Sequence, residues 1–125
     1  MLLIQGGAFY STKYLRSMRM WLQNIPELPR VSVLIPAYNE EIVIEKTIQS
    51  MTKLNYPKDK IEIIIINDHS SDQTGDIADR YAAKYDYIKV VHNRPPFSGK
   101  GKSGALNRGL KEATGEVIVV YDADN

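Results

Sequence analysis

Two aspartates, Asp122 and Asp124, straddle Ala123 at the end of the apolar run VIVVY. Hard divalent cations take carboxylate oxygens, and Mg²⁺ commonly holds one or two carboxylates together with substrate phosphates. Spaced i, i+2, the pair shares one face of a continuing strand, and a turn can bring both to one ion. The plainer alternative is a solvated strand-end loop, since D-x-D is short and common. Asp68 ends a still more apolar run, IEIIII. Its carboxylate can accept from a nucleobase imide or a ribose hydroxyl, or it can open an Asx-type turn. Tyr38 can stack on a base or pack over the helix that follows. Glu40 can contact a ligand, although a place in a helix's first turn already accounts for it. Lys100 and Lys102 are flexible point charges that suit a diphosphate, and two loop lysines are otherwise ordinary solvent charges. His69, in a Ser/Asp-rich turn, receives no role.

The run GKGKSG, residues 99–104, fits more than one nucleotide-binding pattern. As a P-loop tail it lacks the first glycine, because Pro96 stands there, and proline has no N–H to give to a phosphate cradle. As G-x-G-x-x-G, residues Gly99, Gly101 and Gly104 fill every glycine position, and an acid follows roughly 20 residues on. That alternative predicts a dinucleotide-binding, NAD-type domain. Against it, the fingerprint joins strand directly to helix, and HNRPPFS intervenes here.

The elements that position these residues follow from periodicity. VSVLI, stopped by Pro36, reads as a buried strand. Asn39 is placed to cap a helix carrying Ile44, Ile48, Met51 and Leu54 at helical spacing, with Glu40 and Glu41 in its first turn. IEIIII is a strand buried on both faces, and Ile77, Ala78, Tyr81, Ala82 and Tyr85 mark the next helix. YIKVV is a third strand. A helix with Ala105, Leu106, Gly109, Leu110 and Ala113 follows the glycine loop, and Gly115 is placed to end it. EVIVVYDADN is a fourth strand. The order βαβαβαβ predicts an α/β, Rossmann-like, mostly parallel sheet with helices on both faces. Ligands bind such sheets beyond the carboxyl ends of the strands, where AYNE, NDHS, the glycine loop and DAD all fall.

At 125 residues the chain is large enough for one modest domain, and 25% charged with 43% apolar residues is a globular balance. A net charge of +1 gives no global field toward nucleic acid, and the absence of cysteine excludes disulfides and thiolate metal sites. Pro26 and Pro29 set off residues 1–29 as a leader from a domain over 30–125. The leader is either a loosely attached helix or the stub of a membrane segment followed by a basic interfacial helix, YLRSMRMWLQNI.

Together, VSVLIPAYNE, INDHSSDQTGDIA, GKGKSGALNRGL and VIVVYDADN resemble the nucleotide-binding half of a family 2 glycosyltransferase of the GT-A fold. The resemblance runs from about Val31 to Asn125 and is closest to the membrane-bound processive synthases of bacterial polysaccharides, such as those of cellulose, hyaluronan and poly-N-acetylglucosamine. It implies a UDP-sugar donor, with the backbone of Pro36 and Ala37, and with Tyr38 and Glu40, around the uridine. It places Asp68 on the uracil or ribose and Lys102 near the diphosphate. Asp122 and Asp124 become the D-x-D motif, holding Mg²⁺ or Mn²⁺ against the phosphates, with Asp122 also beside the nucleotide. Asn67 and His69 depart from the family's commoner Asp-Asp and glycine. The family's catalytic base and its acceptor-holding Gln-x-x-Arg-Trp motif have no counterpart in these residues, so the resemblance implies an incomplete domain, truncated after D-x-D and inactive by itself. For the full-length protein it implies an inverting transfer to a glycan hydroxyl at the cytoplasmic face of a bacterial cell membrane.

Overall fold

A computed structural model describes residues 2–5 and 27–123. Strand β1 (Leu2–Gln5) is followed by β2 (Val31–Ala37), α1 (Ile44–Thr52), β3 (Ile61–Asn67), α2 (Thr74–Lys84), β4 (Ile88–His92), α3 (Gly101–Glu112) and β5 (Val117–Val120). The strands form one sheet in the order β1-β5-β2-β3-β4, with every pairing parallel. The expected alternation of strand and helix is therefore present, and its strands are joined by right-sized helical crossovers.

Alternation along the strands sorts the core into two layers. Val33, Ile35, Ile63, Ile65 and Val119 face α1 and α2, meeting Ile44, Ile48, Met51 and Ala78. Leu34, Ile64, Ile66, Ile118 and Val120 face the other way, under Ala105 of α3. The IEIIII run is buried throughout because it lies inside the sheet with a helix layer on each side. Each fully buried isoleucine there contributes roughly 2 kcal/mol of apolar transfer energy.

Four expectations change. Pro36 does not stop β2, which runs on to Ala37 in register with Asn67. Backbone groups of β2 alternate between its neighbours, and the Leu34 carbonyl accepts from Tyr121 N on the β5 side. Pro36 faces that same side, where the ladder has already ended at Leu34↔Val120, so its missing N–H breaks no ladder bond. Asn39 does not cap α1, which starts at Ile44 without a side-chain cap. Gly115 does not end α3, which stops at Glu112. Instead a Cβ there would sit 2.6 Å from the Ser32 backbone nitrogen, so the chain passes too closely for any side chain. The first residues also differ from the expected helix or membrane stub. Leu2–Gln5 pair with Val117–Val120, so β5 lies between β1 and β2. The basic stretch of the leader lies outside the described residues, and no helix among those described is long and apolar enough to cross a membrane.

Candidate functional site

From β2 the chain winds outward through β3 to β4, then crosses back to place β5 on the other side of β2. The carboxyl ends of β2 and β5 therefore diverge at a topological switch point, where open α/β sheets form their ligand crevice. A cleft of about 460 Å³ opens there, lined by Pro36, Ala37, Tyr38, Glu40, Asp68, Gly99, Gly101, Lys102, Ala105 and Asp122. Its volume is of small-ligand size. Every nucleotide-site residue expected from sequence (Pro36, Ala37, Tyr38, Glu40, Asp68, Lys102 and Asp122) lies on this one cleft. Asp124, the second expected metal ligand, lies outside the described residues.

Asp122 is held from both sides. Tyr121 N donates to the Leu34 carbonyl at 2.9 Å, and the Ala123 carbonyl accepts from Thr47 Oγ1 of α1 at 3.2 Å. The carboxylate itself has less support. Its Oδ1 lies 2.5 Å from Lys102 Nζ, yet that ion pair falls outside hydrogen-bond geometry, and the buried oxygen has no hydrogen-bond donor among the described residues. A buried carboxylate oxygen without a donor is costly, and it suits a hard cation.

Asp68 is 8% exposed and differently held. Its backbone N–H donates to the Ala37 carbonyl at 2.9 Å. Its Oδ1 accepts from Asn93 Nδ2 at 2.9 Å, and the Gly99 N–H lies 3.3 Å from each carboxylate oxygen. Asp68 thus pins the glycine loop, and Asn93 pins Asp68. Asn93 was not singled out from sequence, though the signal existed: like Asp68, it is polar and directly follows a strand. Gly99 and Gly101 adopt φ of +77° and +72°, which favour glycine. They turn the loop so that α3 starts at the cleft, with no side-chain cap and no acid in its first turn. Its first N–H groups are those a helix offers to anions. Residues 93–100 separate β4 from α3, so the tight strand-to-helix turn of a dinucleotide fingerprint is not formed.

Tyr38 lines the cleft and is 59% exposed, which leaves much of its ring open to solvent. The loops behind it are laced together. Asn39, at φ +49°, receives the Ser71 N–H at 2.9 Å and gives its own N–H to Ser70 Oγ. Glu40 N donates to Thr74 Oγ1 at 2.8 Å, and Glu41 Oε2 accepts from Gln73 N at 2.9 Å. Asp72 accepts from Thr74 and from Glu41 N. Its desolvation pushes the carboxyl upward, and these hydrogen bonds outweigh that and lower it. His69 lies outside the cleft, in a left-handed conformation on the neighbouring loop; it lines a smaller pocket beside Asp72 and Asp76.

The model of glycosyl transferase family 2 matches residues 32–125, three quarters of the chain and every strand-end loop of the cleft. This chain belongs to glycosyl transferase family 2. Within that family it is 55% identical over its whole length to a probable glycosyltransferase, YdaM, of Bacillus subtilis, and spans 30% of that relative. Among solved structures it is similar to a mannosyltransferase of Pyrobaculum calidifontis in complex with GDP-Man and Mn²⁺. The TM-score is 0.72 at 32% identity, covering 90% of this chain and 34% of that one. It is also similar to Staphylococcus aureus TarS in complex with UDP-GlcNAc. There the TM-score is 0.66 at 35% identity, covering 76% of this chain and 26% of that one. Family 2 membership and the GT-A-type fold agree with the four motifs, and the dinucleotide alternative lacks the turn it needs.

Proposed function

We propose that this region binds the nucleotide-sugar donor, a UDP-sugar, of an inverting family 2 glycosyltransferase that extends a glycan. One observation carries the reading. Two strand-end carboxylates, a lysine and the uncapped amino end of a helix converge on one cleft at the sheet's switch point. In this reading the Tyr38 ring stacks on the base, and Asp68 accepts from the base or ribose. The first turn of α3, with Lys102, receives the diphosphate. Asp122, with Asp124 two residues on, holds Mg²⁺ or Mn²⁺, and the buried Asp122 oxygen without a hydrogen-bond donor fits such an ion. A cation held there supplies positive charge against the departing diphosphate. The chain's own contribution is to bind and orient the donor and to place α3's N–H groups where charge develops. We assign no general base to the described residues.

The whole protein then works at the cytoplasmic face of a bacterial cell membrane, a reading supported by the basic leader and by the similarity to a bacterial relative. Calorimetry of UDP against the full-length protein tests the site. Binding is expected to need Mn²⁺ and to weaken at least about tenfold in Asp122→Asn. Equal UDP affinity in chelator, or in Asp122→Asn, overturns the metal role. Binding of NAD in place of UDP overturns the donor assignment.

A further inference from the structure

The two groups of the Lys102–Asp122 pair are not equally anchored. Asp122 is fixed by backbone bonds from each of its neighbours, to Leu34 and to Thr47. Lys102 sits at the second residue of α3, its side chain half exposed. Its helix follows a loop with two left-handed glycines, around which a Cβ would meet nothing within 4 Å. One partner therefore stands on an anchored stretch of backbone, and the other is an ammonium at the end of a long, half-exposed stem. The ammonium stands at 2.5 Å from a carboxylate oxygen that no other described group serves. A divalent cation approaching that oxygen meets the ammonium first, and two cations cannot share it without strong repulsion.

We propose that Lys102 is a built-in counter-ion that competes with the divalent cation for Asp122 and transfers to the donor's diphosphate when the cation takes its place. This rests on the donor-site reading above and adds an exchange that couples cation and nucleotide binding. Lys102 opposes the cation alone and favours cation and nucleotide together. Removing its charge therefore shifts the two affinities in opposite directions, which loss of a structural contact does not do.

The test titrates Mn²⁺ alone, then UDP in saturating Mn²⁺, into the full-length protein and its Lys102→Met and Lys102→Arg variants. The half-exposed site tolerates both substitutions, and circular dichroism checks that both fold. Lys102→Met is expected to bind Mn²⁺ alone roughly threefold tighter, the size of a partly exposed ion pair. The same variant is expected to bind UDP about tenfold more weakly, as for a lost charge-assisted contact. Lys102→Arg, which keeps the cation, stays near wild type for Mn²⁺ alone. Unchanged or weaker Mn²⁺ binding in Lys102→Met overturns the counter-ion. Wild-type protein that binds UDP but no Mn²⁺ overturns the counter-ion and leaves donor binding standing. Protein that binds neither overturns both.

Discussion

The two ends of the sheet each bury carboxylate oxygen, and they treat it in opposite ways. At the amino end, Glu62 of β3 is 1% exposed. Its Oε2 accepts from Ser32 Oγ at 2.5 Å, Thr114 N at 2.6 Å and Thr114 Oγ1 at 2.9 Å, and its Oε1 from Lys89 Nζ at 2.9 Å. The knot extends outward, with Gly115 N donating to Ser32 Oγ and Arg30 Nε to Thr114 Oγ1. Burial alone would raise the Glu62 carboxyl, but these hydrogen bonds overcome it and hold the group at about 2. At the carboxyl end, the buried Asp122 oxygen faces the half-exposed Lys102 ammonium and has no hydrogen-bond donor among the described residues. A fully satisfied buried carboxylate ties the α3–β5 connection to the sheet. An under-satisfied one keeps binding capacity for something that arrives later.

Removing the amino-end knot is the most damaging way to probe this contrast. Glu62→Ala leaves the Thr114 N–H and Ser32 without their acceptor, and is expected to cost about 3 kcal/mol in denaturant unfolding. Its UDP affinity, measured where the protein is folded, should stay within about twofold of wild type, set against the tenfold scale of a lost charge-assisted contact. The same group sets a pH dependence. Folding lowers the Glu62 carboxyl from 4.5 to about 2. Its stabilisation is therefore complete above 4.5 and disappears as pH falls from there through about 2. A shift of that size is worth on the order of 3 kcal/mol, and Glu62→Gln should flatten this part of the stability–pH curve.

Gly115→Ala attacks the same end sterically. Its Cβ would meet the Ser32 nitrogen at 2.6 Å and the Val31 carbonyl carbon at 2.9 Å. Backbone must move, for an expected cost of about 2 kcal/mol in the same unfolding assay. At the carboxyl end the balance reverses. Asp68→Asn retains most of the shape and should change stability by less than about 1 kcal/mol, while weakening UDP binding about tenfold. If it unfolds the protein as Glu62→Ala does, the division of labour between the two ends fails. The smallest effect is expected for exposed Asn39→Ala, about 0.5 kcal/mol, because it removes only loop-to-loop hydrogen bonds.

Much of the candidate site was legible because each of its members follows a strand or opens a helix. Apolar runs locate the strands, alternation with helices makes them parallel, and a parallel sheet sends every strand-end residue to one rim. That logic places Tyr38, Asp68, Lys102 and Asp122 together without coordinates. It misjudged Pro36, whose harmlessness depends on where the β5 ladder ends, and Asn39, whose partner Ser71 is distant in sequence. It passed over Glu62 as one letter in an isoleucine run, since its donors come from Ser32, Lys89 and Thr114. The strand at Leu2–Gln5 was also missed, because its pairing is with residues more than a hundred positions away.

The sequence by itself determined the family, the layered α/β order and the edge at which the polar residues gather. Those depend on local periodicity and on motifs read along the chain. Only the tertiary structure decided which carboxylates are satisfied. Whether a carboxylate has four donors, as Glu62 does, or an oxygen with no hydrogen-bond donor among the described residues, as Asp122 does, depends on which groups distant in the chain reach it. That is a property of packing, and no spacing rule contains it.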